Sequence, residues 1–70
     1  MLIKENAMSF RVRPVAMPGN PAANKPGDTS GLWRVEIKND VTGSTEYEYP
    51  DLPYDEARRK ADKLQKKLNS

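Results

Sequence analysis

The fold of this chain is decided by one stretch of sequence, residues 32–49, which reads LWRVEIKNDVTGSTEYEY. Within residues 32–38 apolar and charged residues alternate from Trp33 onward, which is the period-two pattern of a strand with one buried face. Residues 39–44 are turn formers, and Gly43 stands where a short hairpin loop needs a left-handed residue. The stretch therefore predicts a β-hairpin.

The alternation also predicts which hairpin side chains are buried. Those expected on the core face are Trp33, Val35 and Ile37 on the first strand, and Tyr47 and Tyr49 on the return strand of residues 45–49. Those expected to face water are Arg34, Glu36, Lys38, Glu46 and Glu48. The same assignment makes Trp33→Ala the most damaging single substitution, at about 3–5 kcal/mol if the indole is fully buried.

An earlier strand is predicted within residues 8–17, where the first positions alternate in the same way. The residues expected on the core face are Met8, Phe10 and Val12, and those expected on the opposite face are Ser9, Arg11 and Arg13. Pro14 has no N–H to donate to a ladder, so this strand is expected at an edge of the sheet.

A C-terminal helix is predicted from about Tyr54 to Leu68, after a strand break at residues 50–53. Its apolar positions fall at intervals of three and four and form one stripe: Tyr54, Ala57, Ala61, Leu64 and Leu68. The expected fold is α+β, a three-stranded antiparallel sheet with the helix on one face. Strand order 1-2-3 is the first choice, although the long first connection would also let the first strand lie beside the third.

That connection, residues 18–31, contains three prolines and three glycines and no residue that we expect to pack. It reads as a flexible loop within a single small domain of 70 residues. Loops of this length inside compact domains are usually either functional or disordered.

Composition excludes several classes of function. The chain has no cysteine and no histidine, so disulfides, thiolate nucleophiles, zinc sites and the usual catalytic triads are absent. The acidic residues do not cluster as a metal loop would require, and the glycines lie too far apart for a phosphate-binding loop. We therefore expect no cofactor, no metal site and no enzyme. No apolar run reaches about 20 residues, and Lys4 and Glu5 do not fit a signal peptide, so a cytoplasmic protein with no membrane partner is expected.

The formal charge of +2 divides unevenly, since residues 1–56 carry −3 and residues 57–70 carry +5. Two candidate partner-binding surfaces follow: Arg11, Arg13, Arg34 and Lys38 on the outer face of the sheet, and Arg58, Arg59, Lys63 and Lys67 on the helix. The alternatives are cross-strand ion pairing on the sheet and an ordinary solvated helix face. The alternation places no aromatic residue on the outer face of the sheet, so base stacking is not expected there.

Part of the sequence resembles a known DNA-binding module. The segments that carry the resemblance are Leu32–Ile37, Asp40–Gly43, Tyr47–Tyr49 and Asp55–Ala57. Together they are similar to the arm-type N-terminal domain of phage and transposon tyrosine recombinases, which lays a three-stranded sheet into the major groove. The resemblance implies that Arg34 and Lys38 contact bases or phosphates, with Arg11 and Arg13 assisting.

The size, the lack of catalytic residues and the separated charges are also similar to those of small regulators and inhibitors encoded by phages and mobile elements. Our first hypothesis is a non-catalytic binding protein that docks stoichiometrically on a host protein or nucleoprotein complex. The alternative is a DNA-binding accessory protein or a recombinase-like arm domain. A structural homodimer is the third hypothesis, because association compensates for a thin core.

Overall fold

A computed structural model describes residues 9–68 of the chain. Its strands and helix are β1 (Phe10–Ala16), β2 (Trp33–Asn39), β3 (Thr45–Leu52) and α1 (Tyr54–Leu68), with a short 3-10 helix at Pro21–Asn24. The three strands form one antiparallel sheet in the order β1-β2-β3. The predicted α+β class, the β-β-β-α arrangement and the first-choice strand order are confirmed. Met8 lies outside the described residues.

The pairing of β1 with β2 follows the predicted alternation. Val12 lies opposite Ile37 and Pro14 opposite Val35, on the face that carries α1. The charged residues lie on the other face, where Arg11 is opposite Lys38 and Arg13 opposite Glu36. The buried faces of these two strands were therefore readable from sequence, because charge and size alternate together on them.

The core lies between α1 and the first two strands. Val35, Ala57 and Ala61 are buried, and α1 packs mainly on β1 and β2. The alanines leave room for the helix to approach the sheet, as their place in the apolar stripe predicts. At the start of α1, Tyr54 meets Trp33 edge-to-face, with ring centroids 4.9 Å apart and an interplanar angle of 78°.

The side of the sheet predicted for three β3 residues is wrong, although Glu46 and Glu48 are exposed as expected. Its register places Ile37 opposite Glu46, Glu36 opposite Tyr47 and Val35 opposite Glu48. Glu46 and Glu48 therefore lie on the side of the sheet that carries α1, and Tyr47 lies on the outer face. Since α1 contacts β3 least of the three strands, the core formed within residues 9–68 does not cover this edge. Burial therefore does not decide which β3 side chains face inward.

The hairpin loop sets this register. The Asn39 N–H donates to the Ser44 carbonyl at 2.9 Å, and the Gly43 N–H donates to the Asn39 carbonyl at 2.7 Å. Gly43 has a φ of +81°, as predicted. The Asn39 side chain accepts hydrogen bonds from the N–H groups of Val41 and Thr42 and so fixes the start of the turn.

The second half of β3 contains an irregularity at residues 49–51. Pairing shifts between Trp33, which lies opposite Leu52, and Val35, which lies opposite Glu48. Tyr49 and Asp51 adopt left-handed φ angles of 52° and 60°, unusual for residues other than glycine. The strand continues through this bulge to Leu52, so the break predicted at residues 50–53 is wrong for residues 50–52 and falls at Pro53 alone. Tyr49 turns towards α1, on its predicted side, but remains 39% exposed.

The free edge of β1 is closed by one side chain of α1. Gln65 Oε1 accepts a hydrogen bond from the Val12 N–H at 2.9 Å, and Gln65 Nε2 donates to the Phe10 carbonyl at 2.9 Å. Pro14, the next residue whose backbone faces this edge, has no N–H to offer. The predicted edge position of Pro14 is confirmed.

We expect Gln65→Leu, which keeps a similar volume, to lower the free energy of unfolding by about 2 kcal/mol. Two part-buried hydrogen bonds are lost, each worth about 0.5–1.5 kcal/mol. Urea denaturation followed by circular dichroism measures the change. Gln65→Glu keeps the acceptor for Val12 and removes the donor for Phe10, so it is expected to lose about half as much. Equal stability of all three proteins would show that the two hydrogen bonds of Gln65 do not contribute to the free energy of unfolding.

Residues 18–31 fold back along the end of the sheet. Asn20 caps the 3-10 helix by accepting from the Ala22 N–H, and its Nδ2 donates to the carbonyls of Ser30 and Leu32 at 3.0 and 2.9 Å. Gly31 has a φ of +77°, and a Cβ there would meet the Asn20 side chain at 2.7–2.9 Å. Ala22 is buried, so the expectation that nothing here packs is wrong for that residue. The flexibility of the loop stays a prediction.

Two further hydrogen bonds, both between Ser30 and Asp28, lie near the end of this loop. Ser30 donates to Asp28 Oδ1 from its hydroxyl at 2.7 Å and from its backbone N–H at 2.9 Å. The hydroxyl first, and then the N–H, lower the pKa of the Asp28 carboxyl, because both hydrogen bonds favour the charged form. The charged Asp28 carboxylate therefore contributes to folding stability at neutral pH. This contribution is lost as the pH falls through the lowered pKa.

Candidate functional site

The outer face of the sheet, opposite α1, collects all four cations predicted for it. Its side chains form three rows across the strands: Arg11, Lys38 and Thr45; Arg13, Glu36 and Tyr47; Val15 and Arg34. The chain places them there because every second residue of a strand points to the same side. The sheet thus brings together cations that are up to 27 positions apart in sequence.

Two of these cations form ion pairs. Arg13 Nε lies 2.8 Å from Glu36 Oε1, and Arg11 Nε lies 2.9 Å from Asp40 Oδ2. The cross-strand pairing expected from sequence is thus confirmed for Arg13 and Glu36. The arginine side chains remain 69% and 77% exposed, so their guanidinium groups can still meet a partner. Such exposed pairs contribute little to stability, about 0–1 kcal/mol each.

Arg34 is held against an aromatic ring. Its Cζ lies 3.7 Å from the centroid of the Tyr47 ring, a cation–π contact. Its Nε is shielded from solvent and has no hydrogen-bond partner among residues 9–68. Tyr47 is 48% exposed, so the expectation that the outer face carries no aromatic residue is wrong. The length of the hairpin loop predicts this position of Tyr47. A four-residue loop that pairs Asn39 with Ser44 also pairs Tyr47 with Glu36, which lies on the outer face.

The outer face also carries a shallow depression of about 150 Å³. It is lined by Arg11, Arg13, Glu36 and Lys38. Three cations surround one carboxylate there, so an anionic group entering the depression would be attracted by the cations and would compete with Glu36. Glu46 and Glu48 do not border it, because their side chains point to the other side of the sheet.

The helix cations form a separate surface, on the opposite side of the sheet. The predicted residues Arg58, Arg59, Lys63 and Lys67 are all exposed. Lys63 and Lys67 lie with Lys60 around Tyr49, and Lys60 Nζ is 5.0 Å from the Tyr49 ring centroid. Arg59 lies beside Glu56. The two predicted clusters are therefore not brought into one site, and a single flat partner cannot contact both at once.

Comparisons with known proteins add no assignment. No family model, curated protein or solved structure matches the chain. Within residues 9–68, no group of acidic side chains is arranged to hold a metal ion. In the same residues no helix has both the length and the apolar character to cross a membrane.

Proposed function

We propose that the protein is a non-catalytic DNA-binding module that lays the outer face of its sheet against duplex DNA. The observation that supports this most is the joint placement of Arg11, Arg13, Arg34, Lys38 and Tyr47 on that face, with Glu46 and Glu48 on the other. Strands and small sheets are among the elements that enter the major groove. This was the alternative hypothesis from sequence, and the resemblance to recombinase arm domains points the same way.

The charges favour binding through phosphates. Each ion pair on the face engages the Nε of an arginine, whereas a guanidinium offers five N–H donors. Lys38 is exposed and belongs to neither pair. Phosphate contacts by such side chains release counterions from DNA, which makes the affinity fall as salt rises. The exposed Tyr47 ring, with Arg34 stacked on it, adds a planar surface for contact with sugars or base edges.

We expect binding to a labelled mixed-sequence duplex at about 50 mM salt, where non-specific affinity is strongest. Fluorescence anisotropy over a salt series gives the number of phosphate contacts. Replacing Arg13 and Lys38 with glutamine is expected to reduce the slope of log K against log salt by about two. Glu36→Gln should act in the opposite direction and raise affinity, because it removes the competing carboxylate.

The matched control is the double substitution of Arg58 and Arg59 by glutamine. It removes the same charge from the exposed helix surface, so it should leave the salt slope nearly unchanged. An equal loss of DNA affinity in both double variants would show that the net charge, and not the outer face, determines binding. No binding of the unaltered protein at about 50 mM salt would contradict the proposal, since the phosphate term is largest there.

Docking on a host protein or nucleoprotein complex is the second candidate function. The observation that favours it is the uncovered edge of β3, whose residues Thr45–Asp51 are all exposed. A regulator or inhibitor encoded by a phage or mobile element would use such a surface to occlude a larger complex. That origin, a cytoplasmic location and a homodimeric state stay predictions.

A further inference from the structure

The edge formed by β3 offers backbone hydrogen-bonding groups to a partner. In the antiparallel ladder residues alternate between bonding to the neighbouring strand and facing away from it. The bond from Asn39 to Ser44 fixes this phase, so Glu46 and Glu48 bond to β2. The N–H and C=O groups of Thr45 and Tyr47 therefore point outward, and no residue within 9–68 pairs with them.

This edge differs from the one formed by β1. There, Gln65 occupies the outward N–H of Val12 and the outward carbonyl of Phe10, and Pro14 follows. On β3 the bulge at residues 49–51 ends regular pairing on one side. The stretch Thr45–Glu48 is thus the part of the sheet edge that can accept another strand in regular register.

Two carboxylates decide which strand fits. Glu46 and Glu48 point to the same side of the sheet, and within the described residues neither forms an ion pair or a side-chain hydrogen bond. A second copy of β3 paired antiparallel would place Tyr47 opposite its equivalent or opposite Thr45. Glu46 would then lie opposite Glu48 or opposite its own equivalent. Like charges directly opposite one another destabilise a pair of strands, so this edge disfavours self-association.

We propose that the β3 edge binds an extended peptide segment of a partner protein that carries lysine or arginine at alternate positions. Such a segment would continue the sheet by main-chain hydrogen bonds to Thr45 and Tyr47. Its basic side chains would lie directly opposite Glu46 and Glu48, where opposite charges stabilise the pair. The lysines around Tyr49 would repel its extension past the bulge, which limits the paired segment to residues 45–48.

The probe is a capped nonapeptide in which lysine alternates with threonine, titrated into the ¹⁵N-labelled full chain. We expect shifts centred on residues 45–48 and slower hydrogen exchange at the Tyr47 amide. The same peptide with N-methyl groups on the amides that face β3 keeps its charge and loses the hydrogen bonds. It should not bind. Equal binding of the two peptides would overturn strand addition, as would shifts confined to other surfaces.

The preference of the β3 edge for a basic peptide is tested by substituting both Glu46 and Glu48. Replacing both with glutamine is expected to weaken the lysine peptide about three- to thirtyfold, since two cross-strand pairs are lost. Replacing both with lysine should make the chain prefer a peptide that alternates glutamate with threonine. Both residues are exposed, so circular dichroism should show unchanged folding. An unaltered peptide preference in the lysine variant would contradict the proposal.

This proposal fails or stands independently of DNA binding. The outer face and the β3 edge share only Thr45 and Tyr47, and duplex DNA needs no free strand edge. The variant with glutamine at positions 46 and 48 should bind DNA at least as well as the unaltered chain, because two negative charges are removed. A loss of DNA binding in that variant would show that the two surfaces are not separate.

Discussion

Replacing Trp33 with alanine is expected to lower the free energy of unfolding by about 3 kcal/mol, the low end of the range for large-to-small aromatic substitutions. The indole is part-buried rather than fully buried, which is why the upper end does not apply. It joins three parts of the molecule: β2, the Tyr54 ring at the start of α1, and the loop through a 2.9 Å hydrogen bond from Nε1 to the Ser30 carbonyl. Domains of this size have about 3–5 kcal/mol in total, so the variant should be largely unfolded at room temperature in mild urea.

The measurement is urea denaturation followed by far-ultraviolet circular dichroism. Trp33→Phe is the matched control, because a smaller ring can still meet Tyr54 but cannot donate to Ser30. It should lose about 1–1.5 kcal/mol for the hydrogen bond and the reduced contact. If the urea midpoint of the alanine variant equals that of the unaltered protein, Trp33 does not hold the helix, the loop and the sheet together.

Much of this fold was readable from sequence because two signals agreed on the same residues. On β1 and β2 every charged residue alternates with an apolar one, so a single pattern predicts both the strands and their buried face. The α1 stripe works in the same way: its alanines are the positions that the structure buries completely, and the predicted bounds of the helix match the observed ones. Agreement between local pattern and global packing is what makes such predictions hold.

The prediction failed where the pattern and the packing separated. On β3 tyrosine alternates with glutamate, and this alternation predicts that the tyrosines are buried and the glutamates exposed. The helix does not cover this strand, so the turn at residues 39–44 decides the register instead. The left-handed residues Tyr49 and Asp51 then shift the pairing again. Pro50, between these two residues, predicts that regular pairing stops here. Neither left-handed residue is a glycine, so the sequence does not distinguish a bulge from a strand break.

The residues of the candidate site were likewise predicted correctly on β1 and β2 and wrongly on β3. The four cations of the outer face were found from sequence because they lie on the two well-patterned strands. Tyr47 was missed because it lies on the third. The sequence predicts a nearly neutral outer face. Because Glu46 and Glu48 lie on the other side of the sheet and Tyr47 lies on this one, the outer face is instead cationic. The register of one strand therefore decides which of the two functional hypotheses the geometry favours.

Replacing Ala57 with leucine is expected to lower the free energy of unfolding by about 2 kcal/mol or more. Ala57 is fully buried where α1 approaches the sheet, and its N–H is already bonded to the Pro53 carbonyl at the start of the helix. Three added carbons have no space there, so the helix must shift outward or a neighbouring side chain must leave its preferred rotamer, at a cost of about 1–3 kcal/mol. Small residues at this position are thus a condition of the packing, not of helix formation, since leucine is nearly as good a helix former as alanine.

The control for this variant is leucine at the adjacent position, Arg58→Leu, which adds an apolar side chain to the exposed side of the same helix turn. There the change should stay within about 0.5 kcal/mol, as is usual for surface substitutions. Urea midpoints measured for both variants separate the two causes, because a difference between neighbouring positions cannot come from helix propensity. Equal midpoints would mean that α1 does not approach the sheet as closely at Ala57 as the buried alanines require. A further lowering on combining Ala57→Leu with Trp33→Phe, beyond the sum of the two, would show that both residues hold the same end of the helix against the sheet.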